Sequence, residues 1–134
     1  MKNAWIKRDK SIENTVREIL KSRARSRIYI LLLRKNGART EQIIKGTHLH
    51  PSTVRETLSK MNEQKLIYRK KIKNDSIGKN PYIYYAISPV LLLKRYSSEM
   101  EDRLNKLANL TFSKKEMKNY KPIRIKIVDG VGDA

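Results

Sequence analysis

The chain has 134 residues, of which 31 are Lys or Arg and 13 are Asp or Glu, for a formal net charge of +18. This length suits a single domain with extensions and a core of ordinary size. So large a positive excess repels itself unless a polyanion neutralises it, which makes nucleic acid the expected partner class. There is no cysteine, which excludes disulfides, thiol redox sensing, zinc fingers and cysteine nucleophiles. The longest unbroken apolar run, Ile28–Leu33, is far short of a membrane span. Met1–Lys10 lacks the apolar stretch of a signal peptide, and no basic amphipathic membrane anchor stands out. A cytoplasmic location and no membrane partner are therefore expected. The Lys, Ile and Arg bias points to a thermophilic or archaeal source.

Met1–Lys10 is polar and basic apart from Trp5 and Ile6, and reads as a loose arm. A helix is expected from Ser11, its N-cap, because Ile12, Val16, Ile19 and Leu20 fall on one helical face. Ser22–Lys35 reads as a second helix. Ala24, Ile28, Leu31 and Leu32 make its core stripe, and Tyr29, Ile30 and Leu33 widen the apolar surface nearly all round, as burial on several sides requires. Asn36–Gly37 ends it, with Gly37 expected in the left-handed conformation. Thr40 is expected to cap a short helix, Glu41–Lys45, with Ile43 and Ile44 inward. Gly46–Thr47 breaks that helix, Leu49 fills the turn, and His50–Pro51 closes it.

A third helix is expected at Ser52–Gln64, with Val54, Thr57, Leu58 and Met61 inward. Thr53 and Glu56 match a capping box, and Ser52 is the alternative cap. Leu66–Lys73 alternates as a strand with Leu66, Tyr68, Lys70 and Ile72 on one side. Asn74–Pro81 is rich in turn residues, and Tyr82–Ile87 is the return strand of a hairpin.

Ser88–Pro89 opens a long helix to about Leu110, with proline at the favoured first position. Ser113–Asn119 is expected to add one helical turn, with Ser113 and Glu116 as a capping pair. Ile123, Ile125 and Ile127 alternate with Arg124 and Lys126 as in a strand, and Val128–Ala134 is a Gly- and Asp-containing tail. The implied divisions are an arm and helix at 1–21, a body at 22–88, a long helix at 89–112 and an extension at 113–134. The fold class expected is mainly α with a small β-hairpin.

The order helix, short helix, turn, helix, hairpin has a physical logic. Two helices brace a third by burying its inner face, which leaves its outer face free for a DNA groove. That outer face carries Ser52, Thr53, Arg55, Glu56, Ser59 and Lys60. Ser52 and Thr53 sit where a helix start and hydroxyls hold phosphate. Arg55 suits bidentate pairing with guanine, and Glu56 suits either a cytosine amino group or capping of its own helix. Thr40, at the start of the short helix, is placed in the same contact set. A solvated helix face is the ordinary alternative, and the trihelical order with the basic hairpin argues against it.

The hairpin carries Lys65, Arg69, Lys70, Lys71, Lys73 and Lys79 against Asp75 alone. Crowded like charges are destabilising until neutralised, and phosphates would neutralise them. Edge protection by lysine is the competing explanation. Tyr82, Tyr84 and Tyr85 suit either base stacking or packing on the core and the opposite strand. His48 and His50 have no third ligand nearby and make no metal site. No catalytic motif appears, so a non-enzyme without cofactor or metal is expected.

Residues about 23–88 resemble the winged helix-turn-helix of bacterial and archaeal regulators of the ArsR/MarR type. The resemblance is carried by Pro51-Ser-Thr-Val-Arg-Glu-Thr-Leu-Ser-Lys-Met61 and the following Gln-Lys-Leu-Ile-Tyr-Arg. The family's usual glycine before the wing strand is Lys65 here. The wing, the Pro89 helix and the Lys-Pro-Ile-Arg-Ile-Lys-Ile tail are similar to a euryarchaeal subgroup that includes a regulator of the archaellum (motility) operon. The resemblance implies dimeric binding to double-stranded promoter DNA and leaves activation against repression open.

Two-fold pairing would double the contacts and read a palindrome. The long helix is its expected element, through Leu93, Tyr96, Met100, Leu104 and Leu107, a stripe that continues to Leu110. That stripe advances nearer to 3.6 than to 3.5 residues per turn, which favours packing among several helices over a strict coiled coil. Covering of the domain's own core is the other role open to this helix. The helix from Ser11 to Leu20 is an expected partner in the same interface. Two other functions fit the composition: an RNA-binding winged-helix protein, and an interaction module that contacts basal transcription factors.

Overall fold

A computed structural model describes residues 10–72, 82–111 and 116–128. In chain order the elements are α1 (Lys10–Leu20), α2 (Arg23–Lys35), α3 (Thr40–Thr47), α4 (Pro51–Glu63), β1 (Ile67–Lys71), β2 (Tyr82–Ala86), α5 (Pro89–Asn109) and a 3-10 turn at Glu116–Asn119. The chain divides into two units, Met1–Ser88 and Pro89–Ala134. No helix among the described residues is long and apolar enough to cross a membrane.

In the first unit α2 is the central element. Ile28, Tyr29, Ile30, Leu31 and Leu32 are all buried, and α1, α3, α4 and β2 pack around them. The apolar residues on several sides of this helix explain why it needs several neighbours. Each fully buried aliphatic side chain contributes roughly 1.5–3 kcal/mol. Ser22 caps the helix, its Oγ accepting from the Arg25 N–H at 3.2 Å. Ile43 from α3 and Val54, Leu58 and Met61 from α4 complete the core with Leu66 and Ile67.

Helix ends are where local sequence signals mislead. Lys21, Asn36, His48 and Lys65 all take left-handed backbone conformations, with φ of 58°, 53°, 58° and 58°. Each follows the last turn of a helix, where a left-handed residue lets its N–H reach back to a free carbonyl. For α2 the left-handed cap is Asn36, not Gly37. The Asn36 N–H reaches Leu33 O and the Gly37 N–H reaches Leu32 O. Gly37 is required for a different reason. Its φ is +111°, and a Cβ there would sit 2.5 Å from Tyr85 Cε1.

Several expected boundaries shift. Ser11 is already helical, since α1 includes Lys10, so Ser11 is not the N-cap. Gly46–Thr47 does not break α3. The helix continues through Thr47, whose hydroxyl donates to the Ile43 carbonyl at 2.6 Å, until the left-handed His48 ends it. Thr40 is the first residue of α3 and not its cap, which is Arg39, whose N–H donates to Gln42 Oε1 at 2.9 Å.

β1 and β2 pair antiparallel, with Tyr68 opposite Tyr85 and Arg69 opposite Tyr84. On the other edge of β2, Ala38 exchanges two backbone hydrogen bonds with Tyr84, at 3.0 and 2.8 Å. This bridge ties the α2–α3 connection to the hairpin. The Asn74–Pro81 turn lies outside the described residues.

In the second unit, α5 starts with Pro89 as expected. The tail after it is not a strand, because it pairs with none among the described residues. It runs along α5 instead. Asn105 Oδ1 accepts from the Ile123 N–H at 2.7 Å, and Asn105 Nδ2 donates to the Ile123 carbonyl at 3.1 Å. Glu101 Oε1 accepts from the Ile125 N–H. Alternation of Ile with Arg and Lys is satisfied by an extended chain whose partners are side chains, so periodicity alone did not reveal what it pairs with.

Candidate nucleic-acid interface

The candidate surface begins with α4. Val54, Leu58 and Met61, spaced at i, i+4 and i+7, are buried. That spacing turns Ser52, Arg55, Glu56, Ser59 and Lys60 outward, and all five are exposed, with Thr53 half-buried. The start of α4 is built by His50 and Pro51. His50 Nδ1 accepts from the Ser52 N–H at 3.2 Å and lies 2.7 Å from Ser52 Oγ, while Pro51 occupies the first helical turn. The N-cap is therefore His50, neither Ser52 nor Thr53. Glu56 does not cap the helix either: its carboxylate pairs with Lys60 Nζ at 3.2 Å, one turn on. Both side chains are well exposed, so the pair contributes only about 0.3–0.5 kcal/mol and either group is readily recruited by a ligand.

The turn ahead of α4 is fixed from α2. Arg27 Nη1 donates to the Thr47 carbonyl at 3.1 Å, and Thr47 Oγ1 accepts from the Leu49 N–H at 3.4 Å. Thr47 is itself buried. These bonds, with the left-handed His48, set the angle at which α4 leaves α3.

The hairpin lies beyond the C-terminal end of α4. Arg69, Lys70 and Lys71 are exposed on β1. The Arg69 guanidinium lies over the Tyr82 ring at 4.3 Å, and Lys70 Nζ lies 5.4 Å from the Tyr85 ring centre. Tyr68 and Tyr85 stack across the strands at 5.2 Å with planes 16° apart. The rings of Tyr82 and Tyr85 are thus occupied by cross-strand partners, and Tyr84 is half-buried.

The fold has a counterpart among solved structures. A structure described as a possible transcriptional regulator from Methanosarcina mazei Go1 is similar over 82% of this chain and 88% of that one, with a TM-score of 0.56 and 21% identity. The fold is a winged helix. A variant of MepR from Staphylococcus aureus covers 82% of this chain and 80% of its own, at 15% identity and a TM-score of 0.48. A MarR-family transcription regulator, SP03579, covers 83% and 74%, at 17% identity and a TM-score of 0.48. No family model matches the chain, and no curated protein matches its sequence.

In winged-helix terms α4 is the third helix of the trihelical core and the β1–β2 hairpin is the wing. The residues expected from sequence separate into three groups. Ser52, Arg55, Glu56, Ser59 and Lys60 share the outer face of α4, with Thr53 at its margin, and Arg69, Lys70 and Lys71 are exposed on the wing. Thr40 does not belong with them. It is only 6% exposed, because it lies on the inner face of α3 with Ile43 and Thr47, and a buried hydroxyl offers nothing to DNA. Lys73 and Lys79 lie outside the described residues. Sequence reasoning missed Arg27, Thr47 and His50 as the groups that fix the start of α4. They act through side-chain bonds to backbone groups, and such bonds leave no periodic signal.

Proposed function

We propose that the chain is a sequence-specific double-stranded DNA-binding transcriptional regulator that acts at promoters as a homodimer. The observation that carries this reading is the division of α4 into a buried apolar face and an outer face bearing Arg55, Lys60 and two hydroxyls, followed by a wing strand with three exposed basic residues. An outer helix face of this kind fits the major groove, where base edges are distinguishable. The wing cations fit flanking phosphates, which supply affinity without sequence information. The net charge of +18 supplies long-range attraction to the duplex.

Pairing is assigned to α5. Leu93 and Leu107 are exposed at 44% and 61%, and Tyr96, Met100 and Leu104 are half-buried. A helix stripe that leaves this much apolar side chain in water is relieved by a second copy. The wing and tail resemblance directs the search for the operator to archaellum operon promoters.

Selection of bound duplexes from a random pool tests the reading. A single enriched, inversely repeated sequence, bound at least a thousandfold more tightly than bulk DNA at about physiological salt, is the expected result. Equal affinity for all duplexes, or tighter binding of RNA, would refute it.

A further inference from the structure

The C-terminal tail is an extended segment held by one edge. On the edge facing α5, both backbone groups of Ile123 are bonded to the Asn105 amide, and the Ile125 N–H is bonded to Glu101. Tyr120 braces the clasp by donating its hydroxyl proton to Asn105 Oδ1 at 2.5 Å. The spacing works because two extended residues advance about 6.6 Å and four helical residues about 6 Å, so Glu101 and Asn105 meet alternate residues of the tail.

Backbone groups of an extended chain alternate in direction. With Ile123 and Ile125 turned to α5, the N–H and C=O groups of Arg124 and Lys126 point the other way. Neither residue has a hydrogen-bond partner among the described residues, and 121–128 is exposed throughout. The tail is therefore a single extended segment with one open edge. Its apolar side chains, Ile123, Ile125 and Ile127, each remain more than a third exposed.

From this geometry we infer that the open edge of 123–128 is a docking site for an extended acidic segment of another protein, which adds to it as a paired strand. Three observations select that occupant. The open edge offers carbonyls as well as N–H groups. Phosphates accept hydrogen bonds and do not donate at neutral pH, so a nucleic-acid backbone would leave the carbonyls unmet, whereas a second strand supplies both kinds of partner. Arg124 and Lys126 flank the edge, so an incoming strand with carboxylates at alternate positions gains cross-strand charge pairs. A second copy of the same tail would bring Arg124 and Lys126 against each other and is disfavoured by the same rule. The inference does not rest on DNA binding. The clasp positions, Glu101 and Asn105, also lie about 120° around α5 from the Leu93–Leu107 stripe at 3.6 residues per turn.

The test uses the full chain and a labelled hexapeptide alternating glutamate and valine, read by fluorescence anisotropy at about 0.15 M salt, where distant charges are screened. A control peptide carries an N-methyl group on every residue, which removes the backbone donors of both edges without altering charge. The unmodified peptide is expected to bind about tenfold more tightly than the control, the effect of two lost backbone hydrogen bonds. The Arg124→Glu, Lys126→Glu chain is expected to lose the difference between the two peptides. Asn105→Ala, which frees the tail, should weaken binding of the unmodified peptide alone. Equal binding of both peptides would mean charge attraction only, and would overturn the inference. Crosslinking of two chains through residues 123–128 without peptide binding would assign the edge to a second copy and overturn it equally.

Discussion

The hydroxyl of Tyr29, on the buried centre of α2, donates a 2.8 Å hydrogen bond to the carbonyl of Ile87, just past the end of the wing. Burial also pushes the Tyr29 phenol up to about 12 from its ordinary 10.0. One side chain thus joins the core to the strand that returns from the wing. Tyr29→Phe should cost about 1–2 kcal/mol at neutral pH, because the Ile87 carbonyl loses its partner. The pH dependence has a definite sign. Below pH 10 the phenol is neutral folded and unfolded, and its full contribution is present. As pH rises from about 10 to 12 the unfolded chain releases the proton while the folded one keeps it, so stability falls by roughly 1–3 kcal/mol. Urea melts of both proteins at neutral and alkaline pH check this. An equally steep alkaline decline in Tyr29→Phe would show that other groups cause it.

Gly37 and Lys65 are expected to respond oppositely to substitution. Gly37→Ala places a Cβ against Tyr85 at a φ of +111°, and should destabilise by about 1–3 kcal/mol. Lys65→Gly relieves a non-glycine residue at φ +58°, and should stabilise by about 1 kcal/mol. Thermal midpoints read both. If Lys65→Gly lowers the midpoint, contacts of the lysine outweigh its backbone strain.

For DNA, Arg55→Ala should cost about 1–3 kcal/mol on the selected duplex and little on random sequence. Equal losses on both would make Arg55 a phosphate contact. Titrations on the two duplexes, run side by side, decide it.

Replacing Lys70 and Lys71 together with alanine should weaken binding to every duplex and reduce the slope of log affinity against log salt by roughly two. An unchanged slope would place the wing away from the backbone.

Met100→Asp with Leu104→Asp should convert a two-chain species into single chains in sedimentation experiments, since two carboxylates in an apolar seam lose their hydration without partners. A persistent two-chain species would move the interface off this stripe.

Much of the fold was legible from residue order. The stripe Val54, Leu58, Met61 announced both the buried and the exposed face of α4, and the cluster from Ile28 to Leu33 announced a central helix. The wing strands followed from alternation and aromatic content. What failed did so at ends and edges. Gly37 has the positive φ expected of it, but Asn36 before it is left-handed as well and is the cap; Glu56 was a candidate cap, but pairs with Lys60. Thr40 was expected at the surface and is buried.

These two groups of outcomes have one cause. Burial of a helix or strand face repeats along the chain, so the sequence carries it several times over, and one ambiguous residue does not erase the pattern. The Tyr29–Ile87 bond, the Ala38–Tyr84 bridge, the Arg27 hold on Thr47 and the Asn105 clasp on the tail each join groups that are distant in sequence and occur once. Only packing of the folded chain decides which donor reaches which carbonyl, and with it the angle of α4 and the open edge of the tail.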